Sequence, residues 1–204
     1  AVGDVPASRV RIRPVPGTAT EADLLRVNED AFRTAICELV DGTLVEKTMG
    51  YYESYLAVMI SYFINAHVLP NELGIVLGAD GMLRLAPHLV RIPDVSFISW
   101  DQLPEKKLPR GAIADLHPDL AVEVLSAGNT RREMERKLWE YFSAGASLVW
   151  YVDPPLQQVR VYLSETEMIV VDADGTLDGG DVLPGFTLPL AKLFENAPPA
   201  AEQE

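Results

Sequence analysis

The sequence has little of the side-chain chemistry on which disulfide-rich and zinc-binding proteins depend. It contains a single cysteine, Cys37, and three histidines that show no ligand spacing. One cysteine cannot form a disulfide within the chain, and the usual structural zinc sites need several cysteines. Cys37 lies in the apolar stretch AFRTAICELV, where we expect a small buried side chain.

Long apolar runs are missing as well. No segment approaches the roughly 18 apolar residues that span a bilayer, and AVGDVPASRVRIRP lacks the apolar core of a signal peptide. We therefore expect a cytoplasmic protein that does not enter membranes. Its 204 residues, of which 48% are hydrophobic, can bury the core of one domain. We expect this domain over residues 1–195, with an N-terminal arm at 1–19 and a disordered tail at 196–204.

Positive charge is scarce. Lys and Arg number 17 against 30 Asp and Glu, which gives a formal net charge of −13. This balance argues against a protein that coats nucleic acid, because such a protein needs clustered cations to neutralise phosphates. It leaves room for an enzyme that contacts a phosphodiester locally. The candidates for such contacts are a helical cluster, Arg131, Arg132 and Arg136, and the arm residues Arg9, Arg11 and Arg13. The glutamates between the helical arginines are equally typical of a solvated helix face.

Turn and periodicity signals predict helices and strands in alternation. ICELV and TLVEKTM flank Asp41-Gly42, and GIVLGAD and GMLRLAP flank Asp80-Gly81, so we expect a hairpin at each turn. Residues 51–68 carry apolar side chains at three- and four-residue steps, which predicts a largely buried helix. A second helix is expected to begin after Thr130 and to end at Gly145.

This second helix lies between two apolar strand patterns, DLAVEVLS and SLVWYVDP. A helix that joins two such strands predicts a parallel crossover. QVRVYLS, EMIVVDA and GFTLPL predict a C-terminal β-meander. The expected architecture is therefore α/β, with a mixed sheet flanked by helices, an added N-terminal hairpin and the C-terminal meander.

Three residues are candidates for catalysis. Asp94 follows Pro93 at the entry of the strand VSFI, where a simple turn aspartate is the alternative. Glu123 interrupts the apolar strand LAVEVL, and a carboxylate there is costly unless it is paired, metal-bound or on a solvent face. Lys137 lies at the edge of the apolar stripe of the second helix, where a lysine that snorkels to solvent is the alternative.

Together these residue types suit metal-assisted phosphodiester hydrolysis. Two carboxylates from adjacent strands can chelate Mg²⁺, which prefers oxygen ligands and keeps several waters. Such an ion polarises the scissile phosphate and lowers the pKa of a bound water. A lysine beside it can orient that water or stabilise the charge that develops on the phosphate.

The order of the motifs resembles a known family. RIPDVSFI, DLAVEVLS, the helix with Lys137 and GASLVWYVDP, together with ELVDGTLVEK and LPGFTLPLAKLF, are similar to the Uma-type restriction endonucleases of the PD-(D/E)XK superfamily over roughly residues 36–195. The resemblance implies a restriction-endonuclease-like core, an Mg²⁺ or Mn²⁺ cofactor and DNA as the substrate. It implies Asp94 and Glu123 as metal ligands, with the main-chain carbonyl of Val124 as a further one.

The sequence departs from the wider superfamily at one position. The superfamily places a lysine two residues after the glutamate, where this chain has Leu125. The family pattern instead has a lysine on the next helix, which matches Lys137. Glu53, on the first core helix, and Glu38, in the ELVDG motif, are weaker candidates for supporting residues.

Other functions stay open. The acidic charge and Leu125 also suit a catalytically silent module of the same fold, with an accessory or regulatory role. A metal-dependent hydrolase of small phosphate esters is a third reading. A glycine-rich phosphate loop and a GxSxG motif are both missing, which argues against NTPases and serine hydrolases. The oligomeric state is open, although a homodimer would suit an enzyme that cuts both strands.

Overall fold

The structure is a computed structural model that describes residues 2–197. Its helices are α1 (Glu21–Glu29), α2 (Tyr51–Val68), α3 (Arg131–Ala144) and α4 (Leu190–Leu193). Its strands are β1 (Cys37–Val40), β2 (Thr43–Glu46), β3 (Gly74–Leu77), β4 (Met82–Ala86), β5 (Leu89–Arg91), β6 (Val95–Ser99), β7 (Ile113–Ala114), β8 (Leu120–Val124), β9 (Leu148–Asp153), β10 (Gln158–Tyr162), β11 (Met168–Val171), β12 (Thr176–Asp178) and β13 (Thr187–Pro189). Most of the expected tail, residues 198–204, lies outside the described residues.

A six-stranded mixed sheet forms the centre of the fold. Its strand order is β11-β10-β9-β8-β6-β3, and β8 and β9 are parallel while the other neighbours are antiparallel. Helix α3 connects the parallel pair, which confirms the predicted crossover. Its ends also match the prediction: Thr130 caps the first turn through the Glu133 N–H, and Gly145 takes the left-handed conformation with a φ of 116°.

A second sheet has the order β2-β1-β5-β4-β7 and contains the predicted hairpin at Asp41-Gly42. The hairpin predicted at Asp80-Gly81 is wrong. Strand β3 pairs with β6 in the six-stranded sheet, whereas β4 pairs with β5 in the second sheet. The turn therefore carries the chain from one sheet to the other, because a turn signal fixes a local reversal but not the partners of the flanking strands.

Both faces of the six-stranded sheet are covered. Alternate residues of a strand point to opposite faces, and Val122 of β8 packs into a core with Leu56 and Ile60 of α2. Its neighbour Ala121 packs with Leu138 of α3 on the other face. Burial of each large apolar side chain contributes roughly 1.5–3 kcal/mol, so both helices are firmly docked.

The remaining strands extend this framework. β10 and β11 continue the six-stranded sheet as a hairpin, and β12 and β13 form a separate two-stranded sheet. The predicted C-terminal meander is thus divided between two sheets. Within residues 2–197, no helix combines the length and apolar character that crossing a bilayer requires.

Candidate active site

Glu123 lies on the α3 face of β8, because it alternates with Val122. It is only 4% exposed, so its carboxylate does not meet solvent. Its Oε1 accepts a hydrogen bond of 2.8 Å from Lys137 Nζ and another from the Tyr141 hydroxyl. Burial raises the pKa of Glu123, and the positive charge of Lys137 offsets only part of that effect. The strand glutamate is therefore a paired, buried carboxylate.

Asp94 bridges β6 and β8 at the point where their pairing begins. Pro93 precedes it, and the Asp94 N–H donates to the Val122 carbonyl at 3.1 Å. Its Oδ2 accepts from the Val124 N–H at 2.8 Å, and its Oδ1 accepts from Lys47 Nζ at 2.9 Å. Both carboxylate oxygens are thus held, and the side chain lies against the strand that carries Glu123.

Lys137 and Glu38 complete the central cluster. Lys137 Nζ lies 3.4 Å from Glu38 Oε1, which also accepts from the Ile92 N–H at 3.0 Å. Burial alone would raise the pKa of Glu38, but the charges of Lys137 and Arg91 outweigh it and lower the pKa to about 2. Burial would lower the pKa of Lys137, but Glu123 and Glu38 raise it overall. The lysine is therefore held as a cation between two carboxylates.

A buried arginine supports this cluster from the second sheet. Arg91 is 1% exposed and donates to Glu38 Oε2 at 2.7 Å and to Glu140 Oε2 at 2.7 Å. Glu140 also accepts from Arg136 Nε at 2.6 Å. The site is thus tied to β1, β5 and α3 through charge-assisted hydrogen bonds, which are the stronger kind in a protein interior.

The structure brings together most of the candidates from the sequence. Asp94, Glu123 and Val124 line a cavity of about 10 Å³ that Lys47 and Lys137 also line. This volume is close to that of one water-sized probe. Among residues 2–197, no three His, Cys, Asp or Glu side chains are grouped so that they could hold a metal ion. Any ion at this cavity would therefore rely on two carboxylates, main-chain oxygen and water.

Glu53 is not part of the cluster. It lines a neighbouring groove of about 780 Å³, together with Tyr151, Tyr162 and Arg160. Asn129 lines both this groove and the small cavity, so the two are adjacent. The groove is large enough for a small organic group beside the buried carboxylates.

The helical arginines are all paired with carboxylates. Arg131 forms an exposed ion pair with Glu135 and lines the groove. Arg132 pairs with Asp4, and Arg136 pairs with Asp41 as well as with Glu140. The pairs of Arg131 and Arg132 lie outside the central cluster, whereas Arg136 contacts Glu140, which Arg91 links to Glu38.

The guanidinium of Arg9, in the N-terminal arm, is held by hydrogen bonds within the protein and is not free to contact a phosphate. It is buried and donates to both carboxylate oxygens of Glu133 at 2.8 Å, and to the Gly128 carbonyl at 2.8 Å. Burial would raise the pKa of Glu133, but the hydrogen bonds from Arg9 outweigh it and lower the pKa. The pair fastens the N-terminal arm to the first turn of α3.

Sequence reasoning missed Lys47, Arg91, Glu140 and Tyr141. One signal was available for Tyr141, because residues four apart share a helix face and Lys137 precedes it by four. Lys47 ends the motif ELVDGTLVEK directly after a buried strand. Arg91 and Glu140 meet across elements far apart in the chain, and a single sequence carries no signal for such a pair.

Comparisons with known proteins agree with this fold. A sequence profile of the Uma2 family, described as "Putative restriction endonuclease", matches residues 22–191. No curated protein matches the chain. The chain is similar to a solved structure described as a putative nuclease belonging to DUF820 from Anabaena variabilis ATCC 29413. The TM-score is 0.73 at 22% identity, over 86% of this chain and 97% of that one. The resemblance noted from the motifs and the α/β fold class are both confirmed.

Proposed function

Because the chain belongs to the Uma2 family, we propose that it is a Mg²⁺- or Mn²⁺-dependent endonuclease that hydrolyses phosphodiester bonds of DNA. One observation carries the proposal: Asp94 and Glu123, from neighbouring strands, line one small cavity with Lys137. Acidic pairs beside a cation are the residue set that metal-assisted phosphoryl chemistry requires.

The oxygen atoms at the cavity fit a hard divalent ion. Asp94 and Glu123 supply carboxylate oxygens, and Mg²⁺ commonly takes one or two carboxylates and fills its shell with water. The Val124 N–H donates to Asp94, so the main chain at Val124 runs beside that carboxylate, and the Val124 carbonyl would be the third ligand. These three groups would hold the ion, which would supply a polarised phosphate and an acidified water.

The other residues of the cluster have positioning and electrostatic roles in this proposal. Lys137, held as a cation by Glu123 and Glu38, would stabilise negative charge on the phosphate. The Tyr141 hydroxyl fixes the orientation of Glu123. Glu38 keeps Lys137 in place and is itself held by Arg91.

The substrate assignment rests on kinship and on the layout around the cavity. The Anabaena protein is described as a "putative nuclease", and the groove beside the cavity would receive the flanking part of a nucleic acid strand. Arg131 at the groove, with Arg132 and Arg136 further along α3, would contact phosphates, and Glu53 would line the path. The net charge of −13 favours weak, local binding over non-specific coating. We place this activity in the cytoplasm, and a homodimer would allow both strands to be cut.

Cleavage of supercoiled plasmid and of single-stranded DNA in Mg²⁺ or Mn²⁺ tests the proposal. We expect the wild type to cut, Asp94→Asn to fall to the level of a blank without enzyme, and Asp181→Asn, at an exposed position, to match the wild type. Lys137→Met should lower the rate by about 100–1,000-fold, the usual cost of losing one electrostatic group from an active site. Cleavage by Asp94→Asn at the wild-type rate would refute the assigned site.

A catalytically silent module is the second candidate, and one observation favours it. Lys47 and Lys137 already form ion pairs with Asp94 and Glu123, so the two carboxylates have internal counter-charges. Calorimetric titration with Mn²⁺ separates the candidates. Binding that depends on Asp94 supports the enzyme, whereas a folded protein that binds no Mn²⁺ supports the silent module.

A further inference from the structure

Lys47 is the residue of the site that the proposed chemistry does not use. It follows β2 directly, and its side chain is 8% exposed. Its Nζ donates to Asp94 Oδ1 at 2.9 Å and to the Ile92 carbonyl at 2.5 Å. A lysine in this place puts a cation on one of the two carboxylates that would hold a metal ion.

The net charge of the buried side chains also opposes binding of a metal ion while Lys47 stays on Asp94. Seven charged side chains that are at most 8% exposed meet here: the carboxylates of Asp94, Glu123, Glu38 and Glu140, and the cations of Lys47, Lys137 and Arg91. With all of them ionised, the set carries one net negative charge, and the partly exposed Arg136, which pairs with Glu140, balances it. A divalent ion would add two positive charges in a place where water is scarce, and uncompensated charge is costly there.

This excess of positive charge can be relieved if the Lys47 ammonium leaves Asp94 and an anion enters the site. Lysine suits such a movement, because its charge sits on a flexible four-carbon stem. Residues 47–50 lie between β2 and α2 outside any helix or strand. The Lys47 N–H donates to the Ile36 carbonyl at 2.8 Å, so the main chain is held and the movement would be one of the side chain alone. A phosphodiester carries one negative charge and would be the natural new partner for the ammonium.

We propose that Lys47 competes with the divalent ion for Asp94, so that metal loading requires Lys47 to leave the carboxylate and is favoured by the arrival of a phosphate. This inference rests on the proposed function and concerns its regulation. The protein would bind metal weakly by itself and more tightly together with DNA, because coupling between two ligands is reciprocal.

Mn²⁺ titration by calorimetry tests the competition without measuring cleavage. Lys47→Gln removes the charge but keeps a hydrogen-bond donor for Asp94, and Lys47→Met serves if the glutamine variant does not fold. We expect either neutral variant to bind Mn²⁺ at least about 10-fold more tightly than the wild type, which is about 1.4 kcal/mol. Lys47→Arg, which keeps the charge, should match the wild type.

Two further variants separate the causes of any change. Lys192→Gln removes the same charge at an exposed position of α4, so it should leave Mn²⁺ affinity unchanged if the effect is local. Asp94→Asn should abolish binding in both backgrounds. Equal, Asp94-dependent affinities for the wild type and Lys47→Gln would overturn the competition and leave the proposed function standing. If folded wild type and Lys47→Gln both bind no Mn²⁺, the metal site itself is wrong.

Discussion

Replacing Arg91 should destabilise the protein more than any exposed charge change. The guanidinium is 1% exposed and is shared between Glu38 and Glu140, whose side chains are 1% and 0% exposed. In Arg91→Met, the new side chain fills most of the apolar volume, but both carboxylates lose a buried counter-charge, which leaves Glu38 with Lys137 and Glu140 with Arg136. The cost therefore comes from uncompensated buried charge and not from a cavity.

The size of this effect follows from the burial of the pair. Breaking a buried ion pair by removing one partner costs about 3–5 kcal/mol, and 1 kcal/mol shifts Tm by about 2–4 °C for a chain of this size. We expect Arg91→Met to lower Tm by roughly 6–20 °C. Arg26→Met, which removes an exposed ion pair with Asp23, should have a much smaller effect, because solvent screens that pair.

Urea unfolding followed by circular dichroism provides the free energies. The double variant Arg91→Met/Glu140→Gln should be less unstable than the sum of the single variants by about 0.5–3 kcal/mol, because Glu140 no longer needs the cation. An Arg91→Met variant that loses no more stability than Arg26→Met would contradict the role of Arg91 as a buried counter-charge. Simple addition of the effects at Arg91 and Glu140 would contradict it as well.

Three further predictions concern stability and reactivity. The pKa of Glu38, lowered from its usual 4.5 to about 2, contributes stability that is complete above pH 4.5 and is lost as pH falls towards 2. Glu38→Gln should therefore flatten the pH dependence of the urea midpoint in that window, and equal slopes would contradict the shift. Burial raises the pKa of the Cys37 thiol, so a thiol reagent should label it only after unfolding in urea, and prompt labelling of the native protein would contradict its burial. Arg9→Met should cost about 3 kcal/mol or more in urea unfolding by leaving Glu133 unpaired, and a cost below 1 kcal/mol would mean that the arm is not fastened there.

Local signals predicted much of the fold. The apolar repeat gave the bounds of α2, and the hydroxyl cap and the glycine gave both ends of α3. The apolar strands on either side of α3 gave the parallel pair. The helix bounds depend on contacts within a few residues, and the parallel pair follows from the single helix that connects its two strands, so one sequence contains the information. The partners of β3 and β4 depend on strands far along the chain, and the turn between them could not reveal that they belong to different sheets.

In the candidate site too, the sequence predicted some residues and missed those that are held by contacts with distant parts of the chain. An isolated carboxylate in an apolar strand marked Glu123, and the motif order marked Asp94 and Lys137. The ion pairs that support these residues could not be predicted, because Arg91 and Glu140 are 49 residues apart in the sequence. The number of charged residues in the sequence also could not show that Arg9 is buried against Glu133. Pairing is set by tertiary contacts, whereas composition gives only the number of charges.

A crystal soaked with Mn²⁺ and measured at the manganese absorption edge tests the central claim most directly. We expect one anomalous peak in the cavity, about 2 Å from oxygen atoms of both Asp94 and Glu123, with the Val124 carbonyl nearby. Soaked crystals that show no peak there, with Asp94 still hydrogen-bonded to Lys47 and Glu123 to Lys137, would contradict a metal-dependent active site at this position.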